Sequence, residues 1–256
     1  MFKFVTAAFL AASLNANSAT ITLSENNSVA FNQPVKEDYV AKKQLEILIK
    51  HQALPKTQPI YLVLDTPGGS VMAGNNFIDF VKSLDRPVHT VVIFAASMGY
   101  QITQELGKRY IISSGMLMSH RGAISGLSGQ VPGEANQRLK MIQDVLDEMN
   151  VKAAKRVGMS VEAYQNAIIN ELWIGGQAAV NQKHADEVAS VICDKSLSGT
   201  YTEDVATIFG PASVEYSKCP LISMPIGFSL NGKKIAGNSI GARAIKRATR
   251  QVKLEF

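Results

Sequence analysis

Cysteine is scarce in this chain. Among 256 residues only Cys193 and Cys219 occur, so at most one internal disulfide is available. In an oxidising compartment such a bond would close a loop of about 25 residues, worth roughly 3 kcal/mol by loop entropy. Two free thiols are the alternative, because sequence alone does not bring their Cα atoms within bonding distance. Long apolar runs are lacking as well: the one at 4–14 is too short to cross a bilayer comfortably. Charge is sparse, 18% against 46% apolar residues, which excludes a disordered or fibrous chain. A net positive charge is missing from the body, although the whole chain carries +5. Residues 231–256 carry seven Lys or Arg against one Glu, leaving the remainder at −1. A nucleic-acid-binding body is therefore not expected. No internal repeat is found, so the chain is not a solenoid.

What is present begins with an apparent export signal. Lys3 supplies a positive start, 4–14 an apolar run and 16–19 small residues, with cleavage expected after Ala19. No cysteine follows the run, so a lipid-modified N-terminal cysteine is not available. The expected organisation is a signal peptide over 1–19, one domain over 20–194, and a basic extension over 195–256 of unknown role. A chain of this length buries one core of about 150–200 residues and carries something extra.

Periodicity predicts strands at 28–31, 59–65, 87–94, 110–112, 116–118 and 188–192, and helices at 37–53, 71–84, 99–106, 135–157, after Ser160, and 177–184. The helix at 37–53 is expected to pack through Ala41, Leu45, Leu48 and Ile49. Strands alternating with helices, and apolar on both faces, imply a largely parallel sheet covered by helices. Residues 121–132 are rich in Gly and Ser and have little core-forming capacity. Beyond Asp194 the pattern decays, and a solvated, charged tail is expected there.

Two stretches carry chemistry. Phe94-Ala95-Ala96-Ser97-Met98-Gly99 joins a buried strand to a helix, which holds a serine hydroxyl on a rigid corner beside unpaired helix N–H groups. A packed N-cap would look the same. Pro67-Gly68-Gly69 ends the preceding strand, where paired glycines permit positive φ and expose N–H groups, as would any tight turn. Gly69 and Met98 are the candidate oxyanion donors. Of four histidines, His89 lies within a strand and His51 and His184 end charged helices, where they would be solvated. His120 terminates Gly115-Met116-Leu117-Met118-Ser119-His120 at the same sheet edge as Ser97, where parallel α/β sheets bind ligands, and is the candidate general base. Thr103, Gln104 and Glu105 read as helix surface.

In order and spacing, Leu64-Asp65-Thr66-Pro67-Gly68-Gly69-Ser70 with Ala73-Gly74, then Ala95 to Gly99, then Met116 to His120, resemble the Clp-type serine peptidases, the proteolytic subunit of the caseinolytic protease. The match runs from about residue 27 to 192. The resemblance implies a crotonase-like α/β spiral of parallel βαβ units with a protruding handle helix at 135–157. It implies that Ser97 is the nucleophile, His120 the base, and Gly69 and Met98 the oxyanion donors. It further implies that 121–133 pairs with extended peptide substrate and that the handle interlocks two rings. No metal or cofactor is implied.

The departure from the family falls at the third catalytic residue. Asn170-Glu171-Leu172-Trp173-Ile174-Gly175-Gly176 puts Glu171 where the family has aspartate. A glutamate can orient an imidazole, but its extra methylene needs a retreat of the backbone or another rotamer. Asn170 is the one-residue-slip alternative, and Asp186 reads as a structural acid. Exported serine peptidases of the signal-peptide-peptidase kind use a lysine base, for which Lys140 is the candidate, against a solvated helix face. The expectation is an exported serine endopeptidase acting on peptides or loosely folded proteins, with no ATPase partner in that compartment. Its rival is a non-catalytic assembly or binding protein that retains the fold.

Overall fold

A computed structural model describes residues 19–124 and 128–235. Of the expected export signal over 1–19 all but Ala19 lies outside these residues, as do residues 236–256 of the extension. The elements run β1 (Ala19–Leu23), β2 (Ser28–Phe31), α1 (Glu37–Ala53), β3 (Ile60–Thr66), α2 (Val71–Ser83), β4 (Val88–Ala96), α3 (Met98–Glu105) and β5 (Arg109–Ser119). They continue with α4 (Glu134–Val157), α5 (Val161–Ala167), β6 (Leu172–Gly175), α6 (Gly176–Asn181) and β7 (Glu187–Cys193), and end with β8 (Thr200–Thr207), β9 (Gly210–Ser217), β10 (Gly227–Leu230) and β11 (Lys233–Lys234).

The main sheet has seven strands in the order β1-β7-β5-β4-β3-β2, with β6 joined antiparallel to β5. All other neighbours in it are parallel, as the alternation of strands and helices predicts. Strand β1 was not expected; it ladders with β7 from Ala19↔Ala189 to Leu23↔Cys193. The two short strands expected at 110–112 and 116–118 are one long β5. Ser113-Ser114-Gly115, which interrupts the apolar pattern, is the point where the ladder with β4 slips between Val92 and Phe94. The bulge splits the labour of β5: its first half pairs with β7 and its second half with β6.

One face of the sheet carries the main core. Leu62, Leu64, Val88 and Val92 meet Phe77 and Ile78 of α2, Tyr100 and Ile102 of α3, Ala153 and Val157 of α4, and Tyr164 of α5. Among the described residues, all six α-helices contribute to this one cluster. The opposite face, with Ile21, Leu23, Val63 and Val91, is closed instead by Leu197, Cys219 and Leu221 of the extension. The extension is thus partly structured, not a solvated tail throughout. Strands β8 to β11 form a four-stranded antiparallel sheet, and Cys193 and Cys219 are bonded, tying it to β7.

The face of α1 also differs from expectation. Tyr39, Val40, Lys43 and Ile47 are its buried positions, whereas Leu45 and Ile49 are each 59% exposed. Apolar spacing of four residues fits either of two neighbouring stripes, and the packing of Tyr39 on Phe31 selects the other one. Residues 121–124 and 128–133 form no strand; Gln130 O and Gly133 O accept from the Ala135 and Gln137 N–H groups of α4, and Ser128 O accepts from Arg138 Nη1. The inward positions of α2 and the N-cap of α5 agree with the sequence: Phe77, Ile78 and Val81 are buried, and Ser160 accepts from the Ala163 N–H.

Candidate active site

The site is built where β3, β4 and β5 end side by side. Thr66↔Ala95 and Ala96↔Met118 are the last registered pairs, and Ser97 N–H donates to Met118 O at 2.8 Å. This ladder sets Ser97 one step past β4 and His120 just past the end of β5. Ser97 has φ 54° and ψ −118°, a left-handed conformation for a residue with a side chain. Such strain costs of order 1–3 kcal/mol and persists only when the surroundings fix it. Here they do: β4 holds it from one side and α3 begins at the next residue.

The turn after β3 lies against this corner. Gly68 has φ +93°, and a Cβ there would stand 2.5 Å from Ala96 O and 2.8 Å from Met98 N, so only glycine fits. Gly69, at φ +145°, bridges to Val35, while Val35 N–H donates to Gly68 O and Ser70 N–H to Val35 O. Gly68 N–H is taken by Thr66 Oγ1 at 3.2 Å. Among the described residues, neither Gly69 N–H nor Met98 N–H donates a hydrogen bond. The Met98 amide is next to the serine in the chain, and Gly68, the neighbour of Gly69, lies against Ser97 Cβ and Met98 N; an oxyanion needs two free amides within reach. Ser97, Met98 and His120 line one small cleft together with Val71, Gln101, Leu146, Met149 and Asn150.

Glu171 stands apart. It precedes β6, whose register Ser119↔Leu172 brings it opposite His120, and it has φ 64°. Its Oε2 accepts from Trp173 Nε1 at 2.9 Å, and the Trp173 ring stacks on Phe94. Among the described residues, no hydrogen bond joins the side chains of Ser97, His120 and Glu171. Asp186 is structural: Arg109 donates to it at 2.6 Å, and Arg156 lies 3.5 Å away. Burial opposes its ionisation, but the Arg109 hydrogen bonds outweigh burial and hold its carboxyl below the usual range. Lys140 is a solvated helix residue, paired with Asp144 and 70% exposed. Among the described residues no cluster of His, Cys, Asp or Glu could hold a metal ion, and no helix is long and apolar enough to cross a membrane.

Two histidines and one helix face read differently in the structure than in the sequence. His184 is buried and its Nδ1 lies 2.7 Å from Tyr100 Oη. Burial, with Arg109 nearby, pushes its pKa down to about 4. His51 accepts from Arg86 Nε at 3.2 Å. Neither is free in solvent, because the turns that follow their helices are anchored by a buried arginine in each case. Thr103 and Gln104 are buried too, since α3 is enclosed by the sheet, α2 and α4; Thr103 donates to Gly99 O and Gln104 to His184 O. Behind the cleft lies a polar chain that sequence reasoning missed. Ser119 Oγ is 2.8 Å from Tyr164 Oη, which Gln101 Nε2 approaches at 3.5 Å. The available signal was Gln101 one helical turn after Ser97, on the same face as the nucleophile.

A strained strand-to-helix serine, a neighbouring histidine and two free amides define a site suited to acyl transfer. The family model for Clp protease matches residues 12–191. The proteolytic subunit 1 of an ATP-dependent Clp protease from Chlamydia muridarum is 31% identical over 165 residues, spanning 62% of this chain and 83% of that one. The corresponding subunit from Streptococcus sanguinis is 29% identical over 158 residues, spanning 59% and 79%. That from Chlamydia trachomatis is 32% identical over 168 residues, spanning 62% and 83%. The chain belongs to the Clp protease family of serine-type endopeptidases, which form oligomeric rings and act on proteins.

Proposed function

We propose that this chain is an exported peptidase that cleaves extended peptides or loosely folded proteins through an acyl-enzyme. Ser97 Oγ attacks the scissile carbonyl, and His120 takes its proton and returns it to the leaving amine. The N–H groups of Gly69 and Met98 hold the oxyanion, each donating one hydrogen bond that strengthens as charge develops. Water then attacks the ester, with His120 again as base. The observation that carries this reading is the meeting of Ser97, Met98 and His120 in one cleft. Glu171 is the candidate orienting acid: the β5–β6 register sets residue 171 opposite residue 120, while its carboxylate accepts from Trp173 Nε1.

The Cys193–Cys219 bond supports export, because disulfides persist in oxidising compartments. Outside the cytoplasm an ATP-driven unfoldase has no supply of ATP, so cleavage proceeds without one. Self-assembly into rings through α4 is supported by its outward reach: of its 24 residues only Ala135, Met149, Ala153, Ala154 and Val157 are buried.

The test is labelling by a fluorophosphonate probe together with peptide and casein hydrolysis, for wild type and Ser97→Ala. Loss of both on Ser97→Ala supports the assignment, and a requirement for an added ATPase in peptide cleavage would overturn the ATP-independent part. One observation favours a second reading, a non-catalytic scaffold: the Glu171 carboxylate is held by Trp173 and not by His120. Wild-type protein that neither labels nor cleaves would select it.

A further inference from the structure

The turn between β8 and β9 puts two large apolar side chains into water: Ile208 is 95% exposed and Phe209 73%. Val205, near the same end of β8, is also exposed. The turn is braced. Phe209 N–H donates to Thr207 Oγ1, which donates to Gly210 O, while Phe209 O accepts from Asn231 Nδ2 at 3.2 Å. Both peptide groups of Phe209 are thus satisfied within the protein, which lowers the cost of taking the tip out of water. Positive charge sits at the same edge. The turn that braces Phe209, Asn231-Gly232, leads directly into Lys233 and Lys234 of β11, both exposed. The acidic side chains of this sheet, Glu203, Asp204 and Glu215, lie further along β8 and β9, away from the tip. Past β11 the sequence adds Arg243, Lys246, Arg247, Arg250 and Lys253 against Glu255 alone.

We propose that this edge of the extension binds the surface of an anionic phospholipid membrane. Ile208 and Phe209 enter the boundary of the acyl chains, and Lys233 and Lys234, with the basic residues that follow them, lie against the headgroup phosphates. Either signal alone gives weak, reversible attachment, whereas an apolar insertion joined to a basic patch gives a stable one. Charge decides between lipid and a second copy of the chain. Residues 1–230 sum to −1, so a second copy offers these cations little attraction, while a headgroup layer presents many phosphates. The consequence is a peptidase body held at a membrane surface by its own extension, a role independent of the assignments at Ser97.

The experiment mixes the full chain with vesicles of phosphatidylcholine, with or without phosphatidylglycerol, and reads the bound fraction by flotation. Binding should be strong on the anionic vesicles, weak on the neutral ones, and should fall as salt is raised. Ile208→Ser combined with Phe209→Ser should weaken it by about tenfold or more, the worth of one buried apolar side chain of this size, and leave the thermal transition in place. Lys233→Gln and Lys234→Gln should each weaken binding to the anionic vesicles by about fivefold. Phe209→Trp reports on the tip itself: its emission should shift to the blue on the anionic vesicles, against the background of the single native Trp173. No binding to anionic vesicles overturns the proposal. So does binding that the serine pair leaves unchanged, which would put the attachment in another segment, such as the apolar run at 4–14. A blue shift that grows with protein concentration in the absence of vesicles overturns it as well, because the tip is then seated on a second copy.

Discussion

Acidification should destabilise this protein through His184, in a way that one substitution isolates. The imidazole is 2% exposed, bonded to Tyr100 Oη, and lies near Arg109, so its protonated form is disfavoured and its pKa falls from 6.5 to about 4. The unfolded chain takes up a proton below about pH 6.5 while the folded chain resists until about pH 4. Stability from keeping this group neutral is therefore full above pH 6.5 and drains away as the pH falls toward 4. At 1.36 kcal/mol per unit the loss is about 1 kcal/mol by pH 5.5 and at most about 2–3 kcal/mol by pH 4.5, a ceiling that residual solvation lowers. Urea unfolding of wild type and His184→Gln across pH 7.5 to 4.5 gives the measurement. Glutamine keeps a hydrogen-bonding side chain but does not titrate, so the difference between the two curves cancels the other histidines. The variant is expected to be less stable at pH 7.5 and to close that gap on acidification. A difference that stays constant with pH would refute the reasoning.

Gly68→Ala should lower peptide hydrolysis by about a hundredfold or more, because the added Cβ pushes Ala96 O, Ser97 Cβ and Met98 N away from the turn and displaces the proposed oxyanion donor. Its kcat, measured with labelling of Ser97 as a control for folding, tests this. Trp173→Phe removes the donor that holds Glu171 Oε2. If Glu171 orients His120, this variant should keep or gain activity, whereas Glu171→Ala should lose it steeply; equal loss in both would move the orienting role elsewhere. Cys193→Ser should cost about 3 kcal/mol, from a closed loop of 26 residues, read as a lower urea midpoint. It should also expose the extension to limited proteolysis before the catalytic body.

Much of this could be read without coordinates, and the reason is local. The helix at 71–83 follows from apolar spacing that matched the face it buries, and Ser160 caps its helix as its position implies. The glycines of the turn after β3 follow from backbone conformations that other residues cannot adopt, and Gly68 and Gly69 both have positive φ. The serine corner was legible because strand, small residues and helix start are consecutive. Where the sequence misled, a distant partner decided. Leu45 and Ile49 had helical spacing but the wrong stripe, since Phe31 chose which side of α1 is inside. Thr103 and Gln104 read as surface because nothing nearby shows that α3 is enclosed on every side.

By itself, then, the sequence determined the order of the elements from β2 to β7 other than β6, the glycine turn after β3 and the serine and histidine at strand ends, all properties set by neighbours a few residues away. Only the tertiary structure decided that Cys193 meets Cys219, that the extension closes the second face of the sheet, that Glu171 rests on Trp173, and that the Gln101 side-chain carbonyl oxygen is buried without a partner. Each of these depends on side chains brought together from separate parts of the chain. Burial and hydrogen-bond satisfaction are properties of that meeting, and no local pattern encodes them.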